Sequence, residues 1–176
     1  MLETFSYCPS CGKPDPVFKD EKRYFCSYCG FEYFHNVATA AGVFIVSKGR
    51  LVSLVRSREP GKGLLSLPGG FVDPGERAED AVRRECIEEM SYCPEGFDFL
   101  GTCPNQYIFK NMIYHTCDLY FLSRDDSLEQ ELLCPAEDEV AAIDLIPIER
   151  FDTARFAFDA ARAIWPLFLK AFQSSP

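Results

Sequence analysis

The chain has 176 residues, of which 47% are hydrophobic and 26% are charged, and its formal net charge at pH 7 is -9. This composition is typical of a globular protein with room for one ordinary domain and one small module, and it excludes a disordered chain. The acidic balance argues against an extended contact with a nucleic-acid backbone, which requires a basic face. A single nucleotide held through metal ions is compatible with it.

The N-terminal residues contain no basic segment followed by an apolar stretch, and no window approaches the roughly 18 apolar residues of a membrane span. The sequence contains nine cysteines. An odd number of cysteines without an export signal favours bound metal in a reducing compartment over disulfides. We therefore expect a cytoplasmic protein without a membrane contact.

Two Cys-x-x-Cys pairs lie in the N-terminal segment, which is dense in Cys, Gly, Pro and aromatic residues. The pairs are Cys8/Cys11 and Cys26/Cys29, and a glycine directly follows each pair. Two such pairs can place four thiolates around one zinc ion at roughly 2.3 Å, and the glycines allow the backbone to turn its N–H groups toward sulfur. The alternatives, two disulfides or a redox-active pair, lack a fitting compartment or a thioredoxin-like context. The spacing predicts a structural Zn²⁺ site in a small zinc ribbon.

A change of composition near Asn36 predicts two modules, a zinc ribbon over residues 1–36 and a second domain over residues 37–176. Apolar runs at helical spacing and Gly/Pro-rich segments predict its helices and loops. The expected strands lie at 38–46, 50–56, 97–109, 112–122 and 140–145; the expected loops lie at 60–63 and 68–75; the expected helices lie at 76–90 and 153–172. The turn Ser47-Lys48-Gly49 joins the first two strands in a predicted hairpin.

The first predicted helix carries three carboxylates on one face. At about 100° of rotation per residue, Glu85, Glu88 and Glu89 fall within an arc of roughly 100°. Carboxylates this close repel one another unless cations lie between them, and hard divalent ions such as Mg²⁺ prefer oxygen ligands. A solvated acidic face is the simpler interpretation of such a cluster.

The residues around the start of this helix favour a ligand site over a solvated face. Gly69 and Gly70 allow the backbone to approach a ligand closely. Arg84 is placed to pair with an acid such as Glu76, which would brace the preceding loop against the helix.

The segment from Gly70 to Tyr92 resembles the Nudix box. That pattern is Gly, five residues, Glu, seven residues, Arg-Glu, an aliphatic residue, any residue, Glu-Glu, any residue, Gly and an aliphatic residue. The matching residues are Gly70, Glu76, Arg84, Glu85, Glu88 and Glu89. Cys86, Ser91 and Tyr92 depart from the pattern without removing an acid.

The resemblance implies an α/β fold, an α/β/α sandwich around a mixed sheet, and a divalent-metal-dependent hydrolase of pyrophosphate bonds. It implies that Glu85, Glu88 and Glu89 hold Mg²⁺ or Mn²⁺, with the carbonyl of Gly69 as a further ligand.

Nudix enzymes also use an acid from a later loop. Glu139, directly before the last predicted strand, is the best-placed residue for this role, and Glu137 and Asp138 are the alternatives. The sequence leaves open whether Glu85 or Glu139 acts as the general base.

A zinc ribbon before a Nudix domain is similar to the NADH pyrophosphatase branch of the family. That branch carries a Ser-Gln-Pro-Trp-Pro-Phe-Pro array after the box, and the equivalent region here, Gly101-Thr-Cys-Pro-Asn-Gln-Tyr-Ile-Phe, lacks it. The resemblance therefore implies a nucleoside diphosphate linked to another moiety, such as NADH, ADP-ribose or a similar dinucleotide, without selecting among them.

Residues outside the box are candidates for substrate contacts. Arg56 and Arg58 end the second predicted strand, where they are expected to bind phosphates, although surface solubility explains them equally well. Tyr107, Phe109 and Tyr114 alternate along strands and are candidates to stack on a base, although core packing is the commoner role for such aromatics.

Two other functions are compatible with the sequence. One is a catalytically inactive, nucleotide-sensing Nudix-like module whose ribbon contacts a partner, and the complete set of box acids argues against it. The other is an enzyme acting on capped RNA, which needs a basic groove that the sequence does not supply beyond Arg56, Arg58 and Lys62. We expect a small-molecule nucleotide substrate and no extended nucleic acid. A homodimer is compatible with the resemblance.

Overall fold

The computed structural model describes residues 5–14, 16–20, 22–109, 112–136 and 138–174. The N-terminal part forms a three-stranded antiparallel sheet in the order of the chain. Its strands are β1 (Val17–Lys19), β2 (Arg23–Phe25) and β3 (Glu32–Phe34). Strands β1 and β2 lie between the two cysteine pairs, and β3 follows the second pair. Both pairs therefore lie next to strands of the small sheet in the chain.

The rest of the described chain forms a seven-stranded sheet and two helices. The strands are β4 (Ala38–Ser47), β5 (Arg50–Arg56), β6 (Leu65–Ser66), β7 (Gly69–Phe71), β8 (Asp98–Phe109), β9 (Met112–Arg124) and β10 (Val140–Pro147), and the helices are α1 (Ala78–Met90) and α2 (Asp159–Gln173). The order across the sheet is β10-β5-β4-β9-β8, with β6 paired to β5 and β7 paired to β4. The sheet is mixed because β4 and β9 run parallel while the other pairs are antiparallel.

The two helices cover opposite faces of this sheet. Along β4, Val43 and Ile45 pack in one core with α1, whereas Phe44 and Val46 pack in a second core with α2. Successive side chains of a strand point to opposite faces, so a strand with both faces covered is apolar without interruption. This arrangement confirms the α/β/α sandwich with a mixed sheet.

The sheet splits open between β4 and β5, and this split positions the site. The two strands pair only next to their turn, at Val46–Leu51 and Ser47–Arg50. Farther from the turn, β7 pairs with β4 and β6 pairs with β5, so the segment between them fills the gap. The glycines of β7 therefore lie inside the sheet.

Three expected elements differ from the structure. The loop expected at 68–75 contains β7, because glycines that suggest a loop here pair with β4 through their backbone. Helix α1 begins at Ala78, two residues later than expected, since Glu76 accepts a hydrogen bond from the backbone N–H of Asp73 (2.9 Å) and closes a turn. The expected start of α2 is a separate 3-10 helix at Thr153–Arg155. Among the described residues, neither α-helix is long enough and apolar enough to cross a bilayer.

Candidate functional site

An open cavity of about 220 Å³ lies at the split in the sheet. Its lining comes from strands β4 to β9 and from both helices. Of the residues expected from the sequence, it brings together Arg56, Arg58, Gly69, Gly70, Glu85, Glu89 and Glu139. Four distant segments of the chain therefore meet at one opening.

The carboxylates of Glu85 and Glu89, both on α1, line the cavity. Glu89 is only 9% exposed, and its Oε2 accepts a hydrogen bond from the backbone N–H of Gly69 at 2.9 Å. Burial raises the pKa of Glu89 to about 8, against the effect of this hydrogen bond. Burial also raises the pKa of Glu85, although Arg84 opposes the shift. Both acids therefore lie where an added positive charge would stabilise their ionised forms.

The two glycines of β7 are required by the close packing of the acids against the backbone. A Cβ on Gly70 would lie 2.3 Å from Oε1 of Glu85. Gly69 has a φ of +147°, and a Cβ there would lie 2.2 Å from the carbonyl oxygen of Ala41. Side chains at these positions would displace either the carboxylate or strand β4.

Arg84 connects the start of the box to the acids of α1. Its Nε and Nη2 donate to the two oxygens of Glu76 at 3.0 and 3.1 Å, as predicted, and Nη2 also donates to the carbonyl of Phe71. Its Nη1 donates to Glu85 at 2.7 Å and to Glu88 at 3.1 Å. One guanidinium group thereby braces the loop against the helix and orients two carboxylates.

Glu88 lies farther out than its two neighbours. Its side chain is 58% exposed, and it does not belong to the cavity lining. Within the described residues, no three carboxylates have oxygens within 4.8 Å of one another. The three box acids thus share one side of the helix without converging on a single point.

The later acid reaches the cavity from the residue before β10. Glu139 forms an ion pair with Arg58, and its carbonyl accepts a hydrogen bond from the N–H of Ser57 at 2.9 Å. Of the alternatives, Asp138 is exposed and Glu137 lies outside the described residues. Arg56 donates to the carbonyl of Pro60 at 2.7 Å, and its guanidinium lies 5.0 Å from the ring centroid of Phe158.

Part of the lining was not anticipated from the sequence. Asp118 is a buried carboxylate on β9, and its hydrogen-bond partners Asn105, Thr116 and Tyr120 also line the cavity. The sequence signal is an aspartate directly before the apolar run Leu119-Tyr-Phe-Leu122, where a buried charge is costly without partners. Of the candidate aromatics, Tyr107 lines the cavity and Tyr114 does not, while the side chain of Phe109 lies outside the described set.

The four cysteines of the ribbon form a separate cluster. Their sulfur atoms all lie within 4.8 Å of one another, with 3.8 Å between Cys8 and Cys29 and 3.7 Å between Cys11 and Cys26. Four ligands at roughly 2.3 Å from a tetrahedral zinc ion are about 3.8 Å apart, whereas a disulfide requires about 2.05 Å. The observed spacing therefore fits a metal ion and not disulfides.

The two cysteine pairs of this cluster have the same backbone conformation at the glycine that follows each pair. The N–H of Gly12 donates to the carbonyl of Cys8, and that of Gly30 donates to the carbonyl of Cys26, both at 2.9 Å. Both glycines have positive φ, +68° and +74°. Backbone hydrogen bonds, the largest from Cys29, lower the pKa of the Cys26 thiol to about 7. Thiolates are the form that binds metal.

The fold and the cavity define a three-layer α/β protein with buried carboxylates beside a glycine strand. The family model of the NUDIX domain matches residues 36–165, so the chain belongs to the Nudix family. This match confirms the resemblance found in the box. Of the acids of the box, the fold places Glu85 and Glu89 against the cavity.

Comparisons with individual proteins agree with this assignment. The chain is similar to the "NAD-capped RNA hydrolase NudC" of Pseudomonas fluorescens, with 30% identity over 96 residues that cover 54% of this chain and 34% of that protein. Among solved structures, a Nudix hydrolase from Nitrosomonas europaea has a TM-score of 0.68 at 17% identity, covering 98% of this chain and 95% of that one. The Nudix domain of NrtR from Shewanella oneidensis, solved with ADP ribose, has a TM-score of 0.63 at 18% identity, covering 79% and 90%.

The chain spans about a third of the length of the curated relatives that it matches first. The similarity to the solved structures concerns the fold.

Proposed function

We propose that this protein is a divalent-metal-dependent hydrolase of the pyrophosphate bond in a nucleoside diphosphate linked to another moiety, such as NADH, ADP-ribose or a similar dinucleotide. The observation that carries the proposal is the pair of carboxylates in the wall of an open cavity, the buried Glu89 and the partly buried Glu85. A buried acid whose charged form is disfavoured, and which faces a cavity of polar groups, is suited to bind a cation.

The residues present fit Mg²⁺ or Mn²⁺. Carboxylate and backbone carbonyl oxygens are the ligands that such hard ions prefer. Glu85 and Glu89 would hold the ions from α1 and the carbonyl of Gly69 would hold them from β7. Glu88 would join them after a rotation of its exposed side chain, which has Arg84 as its hydrogen-bond partner within the described ranges. Bound ions would neutralise the pyrophosphate and lower the pKa of an attacking water.

The other groups of the cavity would orient the substrate and move a proton. Arg56 and Arg58 would hold the phosphates by charge-assisted hydrogen bonds. Glu85 or Glu139 would accept the proton of the attacking water. The water oxygen forms a new bond to phosphorus while the anhydride P–O bond breaks, so each product keeps a phosphate.

Two similar proteins support this choice of substrate. The Nudix domain of NrtR was solved in a complex with ADP ribose, and the relative from Pseudomonas fluorescens is a hydrolase of NAD-capped RNA. Both molecules contain a pyrophosphate linked to a nucleoside. The net charge of -9 favours the small molecules over a long RNA.

We also propose that Cys8, Cys11, Cys26 and Cys29 hold a structural Zn²⁺ ion in a ribbon over residues 1–36, with the Nudix domain over residues 37–176. The sulfur spacing and the paired turns support a closed site with four protein ligands. A segment of this size has too little core to fold without its metal.

Hydrolysis by the purified protein with Mg²⁺ tests the proposal. NADH, ADP-ribose, a diadenosine polyphosphate, a nucleoside triphosphate and an NAD-capped oligonucleotide would be offered separately. Glu89→Gln would remove one expected ligand, and Glu79→Gln would remove an acid from the exposed first turn of the same helix. Turnover by the wild type and Glu79→Gln but not by Glu89→Gln supports the proposal. Binding of nucleotide without turnover would instead identify a nucleotide-sensing module.

A further inference from the structure

The part of the cavity lined by β8 and β9 has a chemistry of its own. Asp118 is 7% exposed and lies in the row Thr116, Asp118, Tyr120 on one face of β9. Farther along this row, Tyr120 and Leu122 belong to the apolar core under α2. A carboxylate therefore occupies a position where an apolar side chain would pack without a desolvation cost.

Three side chains hold this carboxylate in place. Thr116 Oγ1 donates to Oδ1 at 2.5 Å, Asn105 Nδ2 donates to Oδ2 at 2.9 Å, and Tyr120 Oη donates to the same oxygen at 3.5 Å. An ionised carboxylate accepts about four hydrogen bonds, so these three donors from the described part of the chain leave one acceptor position of Asp118 for another group. Since Asn105 uses its amide nitrogen toward Asp118, its amide oxygen is also an acceptor.

Aromatic rings border this acceptor pair. Tyr107, which lines the cavity, lies 5.5 Å from Phe71 and 5.8 Å from Phe158 between ring centroids. The guanidinium group of Arg56 also packs on Phe158 and lies 5.0 Å from the centroid of its ring. The cavity thus presents flat apolar surfaces beside two acceptors, a combination that suits a planar ring with a donor on its edge.

Charge separates the two ends of the cavity. An ionised Asp118 would repel a phosphate, whereas Arg56, Arg58 and the cations proposed at the acids of α1 would attract it, so the phosphates belong at that end of the cavity. The group that Asp118 receives must donate hydrogen bonds and must not be anionic.

We propose that Asp118, with Asn105, is a specificity-determining residue that binds an NH₂ group on a planar heteroaromatic ring of the substrate. The inference rests on the proposed function, because it assigns the other end of the same substrate. Two parts of a dinucleotide carry this chemistry, the 6-amino group of adenine and the carboxamide of nicotinamide.

The test uses NAD and two analogues that each lack one of these groups. Nicotinamide hypoxanthine dinucleotide replaces the adenine amino group by a carbonyl, and nicotinic acid adenine dinucleotide replaces the carboxamide by a carboxylate. The wild type is expected to lose about tenfold to a hundredfold in kcat/KM with one analogue, since a hydrogen bond to a charged group is lost. The analogue that loses activity identifies the ring that Asp118 binds.

Asp118→Asn tests the residue itself, because an amide both accepts and donates. In this variant, the discrimination between NAD and the rejected analogue should fall toward one. Asp98→Asn makes the same charge change at an exposed position on β8 and should retain the wild-type ratio. Equal activity of the wild type on all three dinucleotides, or an unchanged ratio in a folded Asp118→Asn, would overturn the inference.

Binding measurements separate this inference from the proposed function. Calorimetry with AMP, IMP, nicotinamide mononucleotide and nicotinic acid mononucleotide requires no hydrolysis, so it reports the preference even if the wild type cleaves none of the dinucleotides. If Asp118→Asn does not fold, the ratio of AMP to IMP affinity in the wild type and in Asn105→Ala gives the answer. A preference for neither AMP over IMP nor nicotinamide mononucleotide over its nicotinic acid counterpart would refute the role of Asp118.

Discussion

Replacing Glu89 by glutamine should make the magnesium-free protein more stable at alkaline pH. The amide keeps the size of the side chain and an oxygen that accepts the hydrogen bond from Gly69, but it removes a buried charge. The pKa of Glu89 is about 8 in the folded protein, against 4.5 for an ordinary glutamate. The folded state therefore retains a proton that the unfolded state has released, and the free energy of unfolding falls as the pH rises from about 4.5 to about 8.

The gap between these two pKa values corresponds to at most ~5 kcal/mol of unfolding free energy, at about 1.4 kcal/mol for each pKa unit. At about 2–4 °C per kcal/mol for a protein of this size, this destabilisation lowers Tm by at most roughly 10–20 °C between pH 5 and pH 8.5. The protonated Glu89 contributes its full share to the free energy of unfolding below about pH 4.5, and this contribution is lost by about pH 8. Burial raises the pKa of Glu85 as well, which adds to the fall.

The assay is thermal unfolding after dialysis into magnesium-free buffer without a chelator, so that the ribbon keeps its metal. The Tm of the wild type should fall from pH 5 to pH 8.5, and the Tm of Glu89→Gln should change less. Added Mg²⁺ should restore the wild type at pH 8.5 and have little effect on the variant. Parallel Tm curves for the two proteins, with the same response to Mg²⁺, would refute the assignment of Glu89 as a buried acid that binds a cation.

Three further substitutions test other parts of the structure. Arg84→Lys loses the two-pronged contact with Glu76, so we expect a loss of about 1–3 kcal/mol in stability and a larger loss of kcat/KM, measured by denaturant unfolding and hydrolysis. Gly70→Ala places a methyl group against Glu85, so hydrolysis should fall at least tenfold while the fold persists, as circular dichroism would report. Cys26→Ser removes a thiolate of the ribbon, so the bound zinc measured by atomic emission should fall from one ion per chain toward zero.

Matched controls make these outcomes specific. Gly96→Ala adds a methyl group where no atom lies within 4 Å and should leave hydrolysis unchanged. Cys134→Ser removes an exposed thiol outside the ribbon and should retain zinc. Wild-type hydrolysis by Gly70→Ala, full zinc in Cys26→Ser or unchanged stability in Arg84→Lys would each contradict the corresponding assignment.

The parts of the site that follow from local spacing could be predicted from the sequence. Glu85 and Glu89 are one helical turn apart, so helix geometry alone brings them together. Arg84 reaches Glu76 across the short turn that precedes the same helix. The cysteine pairs are equally local, because each turn contains only a few residues. The hairpin of β4 and β5 follows from two apolar runs around Lys48 and Gly49, both of which have the positive φ of a tight turn.

The tertiary structure decided which of these groups are buried and what faces them. The sequence placed Glu88 beside Glu85 and Glu89, but the packing of α1 on the sheet leaves Glu88 largely exposed and buries Glu89. The pairing of Arg58 with Glu139 joins the ends of two strands that are neighbours only because β10 adds to β5.

The role of Asp118 could not be predicted from local spacing either, because its contacts depend on the pairing of distant segments. Its partner Asn105 is 13 residues away and meets it only through the register of β8 on β9. The opening of β4 from β5, which lets β7 enter the sheet, is likewise set by strand pairing across distant segments. Helix and turn geometry act over a few residues and can be read from spacing, whereas strand register and burial depend on the whole core. The sequence by itself therefore determined the acids and the thiols, and the tertiary structure decided the cavity in which the acids act.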